Sequence, residues 1–227
     1  MIRVENLSVR TAAGAVLLEP LSFELPPGGG LFVVGGSGSG KTSLVEALAG
    51  VSPHRVQGTF GMPRPALLAV QDAGRAFSPY RRVGPQLEDS FPRSARAAAR
   101  ALLSELLAAV GLDPGLTGRY PHELSAGMLR RVLVAGVLAA GPATALLDEP
   151  TAGLDPSTRW TILDLLRERR CPVVVTTHDP DLLRHATGFH ALVLCRGRLV
   201  ESGPVEEILS APSQPYTRSL LHCEEAT

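Results

Sequence analysis

The stretch "GGSGSGKTS", residues 35–43, constrains the fold more than any other part of this chain. It fits the pattern G-x-x-x-x-G-K-[ST], with an apolar run, "GLFVV", before it and a helical pattern, "TSLVEALAG", after it. Glycines let consecutive backbone N–H groups turn toward phosphate oxygens, and the helix that follows adds the positive end of its dipole. The stretch therefore predicts a strand, a phosphate-binding loop (P-loop) and a helix. The predicted nucleotide-binding residues are Gly35, Gly36, Ser37, Gly38, Ser39, Gly40, Lys41, Thr42 and Ser43, and the Thr42 hydroxyl is a predicted Mg²⁺ ligand.

Lys41 is the only lysine among the 22 basic residues of the chain. A compact ammonium on a flexible stem fits inside a glycine loop, whereas the planar guanidinium of arginine is a wider fork. We therefore predict that arginine cannot replace Lys41. The structural alternative is a glycine-rich turn that contains a lysine by chance, and the flanking strand and helix patterns disfavour it.

The charge of the chain is balanced, with 22 acidic against 22 basic residues. Nucleic-acid-binding proteins usually carry a basic excess or a basic stripe, whereas the basic runs here are arginine pairs at positions 81–82, 130–131 and 169–170. We therefore predict no nucleic-acid partner, and we expect these pairs to lie on solvated faces.

Cysteine spacing and hydropathy bear on location. The three cysteines, Cys171, Cys195 and Cys223, lack C-x-x-C spacing, and the N-terminus "MIRVENLSVR" lacks the apolar core of a secretory signal. The longest apolar region, residues 132–147, is interrupted by Gly141-Pro142 and is shorter than the roughly 18 residues that a membrane span requires. These patterns predict a reducing, cytoplasmic location, and if the chain serves a membrane, it does so from outside the bilayer.

Short β-type runs alternate with helical patterns along the chain, and "GLFVV", "ATALLDE" and "PVVVTTH" are the clearest of them. This alternation predicts an α/β fold with a parallel sheet. Residues 74–140 differ, because they are rich in alanine and leucine at helical spacing, and they predict a helical subdomain inserted into a single domain of residues 1–227. Further on, "HALVLCRGRLVESG" predicts a β-hairpin that turns at Arg196-Gly197, with a short helix after it.

The run "TALLDEP" ends in an acidic pair. Apolar residues deliver Asp148 and Glu149 to the carboxyl end of a strand, the sheet edge where ligands bind in α/β folds. In P-loop enzymes an aspartate in this setting supports Mg²⁺, and Glu149 is then placed to accept a proton from an attacking water. An isolated pair of this kind is more often a charge pair at a helix N-terminus. Its combination with the phosphate-binding loop favours the catalytic interpretation.

The stretch "ELSAGMLRR" contains a predicted helix start, with Ser125 as the N-cap and the small residues Ala126 and Gly127 in the first turn. Such a start can bind an anion, and an ordinary capped helix is the alternative. However, "LSAGM" resembles the LSGGQ signature of the ATP-binding cassette (ABC) ATPases, and it lies between the P-loop and the acidic pair, as in that family. The signature residues by this resemblance are Leu124, Ser125, Ala126, Gly127 and Met128.

Three further residues match ABC motifs in the same order. Gln71 in "AVQDAG" resembles the Q-loop glutamine, Asp155 in "AGLDP" resembles the D-loop aspartate, and His178 in "VVVTTHDP" resembles the switch histidine. The resemblance covers nearly the whole chain. It implies a P-loop NTPase core with a parallel sheet, an N-terminal antiparallel β region and a helical subdomain.

The resemblance also implies a mechanism in which two cassettes pair head to tail, so that each ATP lies between the P-loop of one chain and the signature of the other. Glu149 would be the general base, and His178 would contact the γ-phosphate. Mg²⁺ would be held by Thr42, Gln71 and Asp148, and Gln71 would also act as a catalytic residue that senses the metal and the attacking water. ATP hydrolysis would drive a membrane permease of two subunits, on which the helical subdomain would dock.

The subfamily follows from "VQDAGRAFSP", "YPHELSAGML" and the tail "VESGPVEEILSAPSQPYTRSLL". These stretches resemble ATPases of the oligopeptide and nickel importers. Met128 stands where the signature usually has glutamine, and in this the chain resembles the nickel-import member. That resemblance implies uptake of nickel or a peptide-like solute, a second and different cassette, an external solute-binding protein, and a place on the cytoplasmic face of the inner membrane.

Two departures from the family stand out. Ala126 replaces a signature glycine, and residues 7–19 contain no aromatic residue, where the family commonly stacks one against adenine. We expect Val16 or Arg10 to contact the base instead. A soluble mechanical ABC ATPase of DNA repair or translation is the alternative function, although residues 50–124 are too short and too interrupted by proline and glycine for a long coiled coil. A P-loop kinase would leave the signature, Asp155 and His178 unexplained.

Overall fold

The computed structural model describes residues 1–222, which form two sheets and the helices around them. Strands β1 (Ile2–Arg10), β2 (Val16–Leu25) and β4 (Arg55–Gly61) make an antiparallel sheet in the order β2-β1-β4. The larger sheet has the order β5-β6-β7-β3-β8-β9. Its strands are β3 (Gly30–Val34), β5 (Ala66–Ala69), β6 (Thr144–Asp148), β7 (Val173–Thr177), β8 (His190–Cys195) and β9 (Arg198–Pro204).

Every neighbouring pair in the larger sheet is parallel except β8 and β9, which form the antiparallel hairpin predicted around Arg196-Gly197. The predicted fold class is confirmed: an α/β core with a parallel sheet, an N-terminal antiparallel region and helices between the strands. Cys223 lies outside the described residues.

The helices are α1 (Lys41–Ala49), α2 (Val83–Glu88), α3 (Arg96–Ala109), α4 (Ala126–Ala139), α5 (Pro156–Arg167), α6 (Asp181–Arg184), α7 (Val205–Ser210) and α8 (Pro215–His222). Helices α2, α3 and α4 lie in the segment between β5 and β6, together with several short 3₁₀ turns. Helix α7 is the short helix predicted after the hairpin, and α8 is an additional helix in the proline-containing tail. No helix within residues 1–222 is both long enough and apolar enough to cross a membrane.

Alternation along the parallel strands divides the hydrophobic core in two. Successive strand side chains point to opposite faces, so Phe32 and Val34 of β3 pack in a core with α3, α4 and α5. Leu31 and Val33 pack in a second core with α1 and the antiparallel sheet. Because both faces are covered, strands β3, β6 and β7 are buried along their whole length. Their carboxyl ends then bring the P-loop, the acidic pair and His178 to one edge of the sheet.

Candidate nucleotide-binding site

The P-loop joins β3 to α1, and two of its glycines are required by close backbone approaches. A Cβ at Gly35 would lie 2.1 Å from the Leu194 carbonyl oxygen. Gly40 has a φ of +100°, and its Cβ would lie 2.7 Å from the Leu17 carbonyl oxygen. The hairpin turn packs against the same loop, because the Gly197 amide donates to the Ser39 carbonyl at 3.1 Å. Side chains larger than hydrogen at positions 35 and 40 would therefore displace the backbone around the loop.

Lys41 is the first residue of α1 and is 7% exposed. Its Nζ donates to the Gly35 carbonyl at 2.7 Å and to the Gly36 carbonyl at 3.1 Å, and lies 3.7 Å from Glu149 Oε1. Burial lowers the pKa of Lys41, and the nearby carboxylates of Glu149 and Asp148 oppose that shift. The Lys41 ammonium is thus surrounded by oxygen atoms that lie at hydrogen-bond or ion-pair distance from its one nitrogen.

The acidic pair is held by a residue that the sequence analysis did not identify, Thr176 of β7. Asp148 and Thr176 are register partners at the ends of β6 and β7. The Thr176 hydroxyl donates to Asp148 Oδ1 and accepts the Glu149 amide at 3.0 Å. The apolar strand ending in "TTH" was the available signal, but it does not reveal which strand lies beside β6. Thr176 thereby sets the position of both acids.

Glu149 connects two other predicted residues. Its Oε1 faces the Lys41 ammonium, and its Oε2 lies 2.8 Å from His178 Nδ1. The Glu149 side chain is 6% exposed, whereas that of His178 is 60% exposed. A buried carboxylate held between a cation and an imidazole at the solvent boundary is suited to accept a proton from a water molecule in the cleft.

These residues line a cleft of about 770 Å³. Its walls are residues 36–43 of the loop with Gln71, Glu149, His178, Val16, Leu17, Arg196 and Gly197. Of the two residues expected to contact the base, Val16 lines this cleft and Arg10 is not among its lining residues. Arg196, at the tip of the β8–β9 hairpin, is an additional lining residue, although its sequence pattern indicated only a turn.

The predicted magnesium ligands share a second, adjoining cleft of about 480 Å³, lined by Thr42, Gln71 and Asp148 together with Glu46. Hydroxyl and carboxylate oxygens are the ligands that Mg²⁺ prefers. Burial raises the pKa of Glu46, and the negative charge of Asp148 raises it further. This crowding of negative charge fits a divalent cation, which would relieve the repulsion.

The signature residues start α4, and none of them is among the residues lining the two clefts described above. Ser125 is the N-cap, as predicted, and its hydroxyl accepts the Met128 amide at 3.2 Å. Asp155 likewise caps α5, where it accepts the Thr158 amide at 3.0 Å. Hydrogen bonds from Ser157 and Thr158 hold the pKa of Asp155 well below its ordinary value. The signature residues therefore lie outside both clefts that the loop of their own chain lines.

The expectation that Arg130 and Arg131 lie on a solvated face was wrong, since both are half-buried. The Arg130 guanidinium donates to the Gln71 carbonyl at 3.1 Å and also to the Ala152 carbonyl. Arg131 donates to the Val110 carbonyl at 2.9 Å. Their acceptors are backbone carbonyls distant in sequence, which no spacing rule identifies. Arg130 consequently ties α4 to the Q-loop and to the segment before Asp155.

Comparisons with known proteins agree with this geometry. A profile of the ABC transporter family matches residues 18–152. The methionine import ATP-binding protein MetN of Bradyrhizobium diazoefficiens is 34% identical over 97% of this chain and 70% of its own length. The oligopeptide transport ATP-binding protein OppD of Mycobacterium bovis is 34% identical over 97% of this chain, which spans only 41% of that relative.

A solved structure gives the same answer for the fold. The dimer of an ATP-binding cassette in a post-hydrolysis state, bound to ADP and Pi, has a TM-score of 0.75 and is 22% identical, over 90% of this chain and 99% of that one. The matched profile covers more than half of the chain, and the MetN relative is similar over most of its length. This chain belongs to the ABC transporter family and is an ABC ATPase.

Proposed function

We propose that this chain is the ATP-hydrolysing subunit of an importer that takes up a peptide-like solute or nickel through a membrane permease. The observation that carries the catalytic part is Glu149, which lies buried between the Lys41 ammonium and His178 beside the P-loop. The transport part is supported by relatives named for the import of methionine and oligopeptides.

In the proposed reaction, the loop amides and Lys41 bind the β- and γ-phosphates of ATP. Thr42, Asp148 and Gln71 would hold Mg²⁺, which neutralises phosphate charge when bound. The Glu149 carboxylate accepts a proton from the water that attacks the γ-phosphorus, the bond from that phosphorus to the β–γ bridging oxygen breaks, and ADP and phosphate leave. His178 orients Glu149 through the 2.8 Å contact and meets the γ-phosphate on the solvent side.

The working unit in this proposal is a head-to-tail pair of cassettes. Residues 124–128 would face the ATP held by the P-loop of the partner, and Asp155 would lie at the interface between them. The position of the signature outside its own nucleotide cleft supports this arrangement. We propose that the partner is a different chain, because Ala126 in "LSAGM" weakens one of two composite sites that need not be equivalent.

The helical insertion, residues 74–140, is proposed as a subdomain of the single ABC ATPase domain and as the contact with the permease. It forms one wall of the second cleft, where Phe77, Leu87, Leu133 and Val137 supply apolar surface and Arg75 supplies charge. A short cytoplasmic helix of a permease subunit would contact the residues of the insertion at this cleft, whereas Thr42 and Asp148, outside the insertion, would hold Mg²⁺. The chain would then lie on the cytoplasmic face of the inner membrane, with an external solute-binding protein delivering the cargo.

Affinity purification of the tagged chain from detergent-solubilised membranes tests the proposal, combined with uptake of labelled dipeptide and labelled nickel. We expect two permease subunits and a second, different cassette to co-purify. A matched Glu149→Gln variant should assemble equally well and abolish uptake. Recovery of ribosomes or DNA in place of permease subunits would instead support a soluble mechanical ATPase, and recovery of this cassette alone as a homodimer would refute the heterodimer.

A further inference from the structure

The C-terminal helix reaches back to the P-loop. Tyr216, in the first turn of α8, accepts a hydrogen bond at its phenol oxygen from the Gly36 amide at 3.2 Å, across 180 residues of sequence. The Tyr216 ring is half-buried and packs against the core formed with α3, α4 and α5. The contact therefore joins the sheet edge that carries the nucleotide cleft to the last helix of the described chain.

Helix α8 is fixed in place from β9. The Glu201 carboxylate accepts the Ser213 amide at 2.7 Å, the Ser213 hydroxyl at 2.8 Å and the Gln214 amide at 3.2 Å, all just before α8 begins. Since β9 also pairs with β8, the start of α8 is held by the same sheet as the loop.

Gly36 is hydrogen-bonded at both of its backbone polar groups, which belong to two consecutive peptide units. Its N–H meets Tyr216, and its carbonyl accepts the Lys41 ammonium at 3.1 Å. Because a residue has two soft backbone dihedrals, fixing both groups leaves little freedom at the entry of the loop. A Cβ at this position would lie 3.7 Å from the Tyr216 oxygen, which is ordinary contact, so the tyrosine approaches the backbone itself.

We propose that Tyr216 is a positioning residue for the phosphate-binding loop. By accepting the Gly36 amide, it holds the loop entry in the orientation from which Lys41 and the following amides meet phosphate. This inference rests on the proposed function, in which that loop binds ATP. The Tyr216–Gly36 contact also links the position of α8 to nucleotide binding in both directions. Displacement of α8 lowers the affinity of the loop for nucleotide, and bound nucleotide opposes that displacement.

The test is Tyr216→Phe in the full chain, which removes one oxygen and keeps the packed ring. The matched control is Tyr80→Phe, the same chemical change at a side chain that is 89% exposed. We expect the KM for ATP to rise roughly two- to tenfold, the range for one lost hydrogen bond, while kcat changes by less than about twofold. The control should match the parent. A KM in Tyr216→Phe equal to the parent value would overturn the inference.

Hydrogen exchange at the Gly36 amide, followed by NMR without nucleotide, separates this inference from the proposed function. The amide should exchange roughly two- to tenfold faster in Tyr216→Phe than in the parent and in Tyr80→Phe. Equal rates would show that the phenol does not hold the amide, whatever the chain hydrolyses. Failure of the parent to bind ATP would refute the proposed function and would leave the exchange measurement to decide the role of Tyr216.

Discussion

Thr176→Val tests whether a single hydroxyl holds the acidic pair. Thr176 is fully buried, and Val keeps its shape while removing the donor to Asp148 and the acceptor for the Glu149 amide. A hydrogen bond to a charged group contributes about 1.5–3 kcal/mol and a neutral one about 0.5–1.5 kcal/mol, so the variant should lose about 3 kcal/mol of unfolding free energy. The Asp148 carboxylate and the Glu149 amide, which lose this partner, belong to buried residues, so water does not replace the lost hydrogen bonds. Urea unfolding followed by circular dichroism gives the loss, with an unchanged m-value as the sign of an intact fold.

Thr176→Ser is the matched control, since it keeps the hydroxyl and removes a methyl group. Its cost should be about 1 kcal/mol, the contribution of one buried methyl. We therefore expect Val to be the more damaging substitution. If Ser were the more damaging of the two, or if Val cost less than about 1 kcal/mol, packing and not hydrogen bonding would govern this position.

Three further predictions concern the nucleotide. Lys41→Arg should weaken ATP binding or turnover at least tenfold, because the wider guanidinium cannot occupy the place of one nitrogen 2.7 Å from the Gly35 carbonyl. Isothermal titration calorimetry measures the affinity and steady-state hydrolysis measures the turnover. Values equal to those of the parent would refute the requirement for an ammonium. The dissociation constant for GTP should lie within about tenfold of that for ATP, since no aromatic ring between residues 7 and 19 supplies the roughly 1–3 kcal/mol of base stacking. Arg196→Ala should weaken the binding of both nucleotides alike, because a guanidinium can stack on either base. Competition binding measures both effects, and a strong preference for ATP would show that a base-specific contact exists.

The sequence predicted those parts of the structure that depend on local pattern. The glycine loop, the strand before it and the helix after it follow from Gly35, Gly40 and the apolar runs on either side, because each needs only near neighbours. The Ser125 cap also follows from residues within one helical turn. The strand order does not, since nothing in "TALLD" or "VVVTT" says that the two strands are adjacent.

The missed residues all act across long sequence separations. Thr176 reaches the acidic pair only because β7 lies beside β6, and Arg196 enters the cleft only because the hairpin folds over the loop. Tyr216 accepts a hydrogen bond from a backbone amide, and Arg130 donates to backbone carbonyls, so no complementary side chain in the sequence indicates either contact. Such contacts are fixed by tertiary packing and not by motif spacing.

We propose that Glu149 is the general base of an ATPase site built around the P-loop. Glu149→Gln removes the proton acceptor while keeping the shape of a side chain that is 6% exposed. In the purified assembled complex, the direct measurement is ATP affinity together with the single-turnover rate of phosphate release. We expect retained ATP binding and a rate of phosphate release lowered roughly 10²–10⁴-fold. A release rate near that of the parent would contradict it.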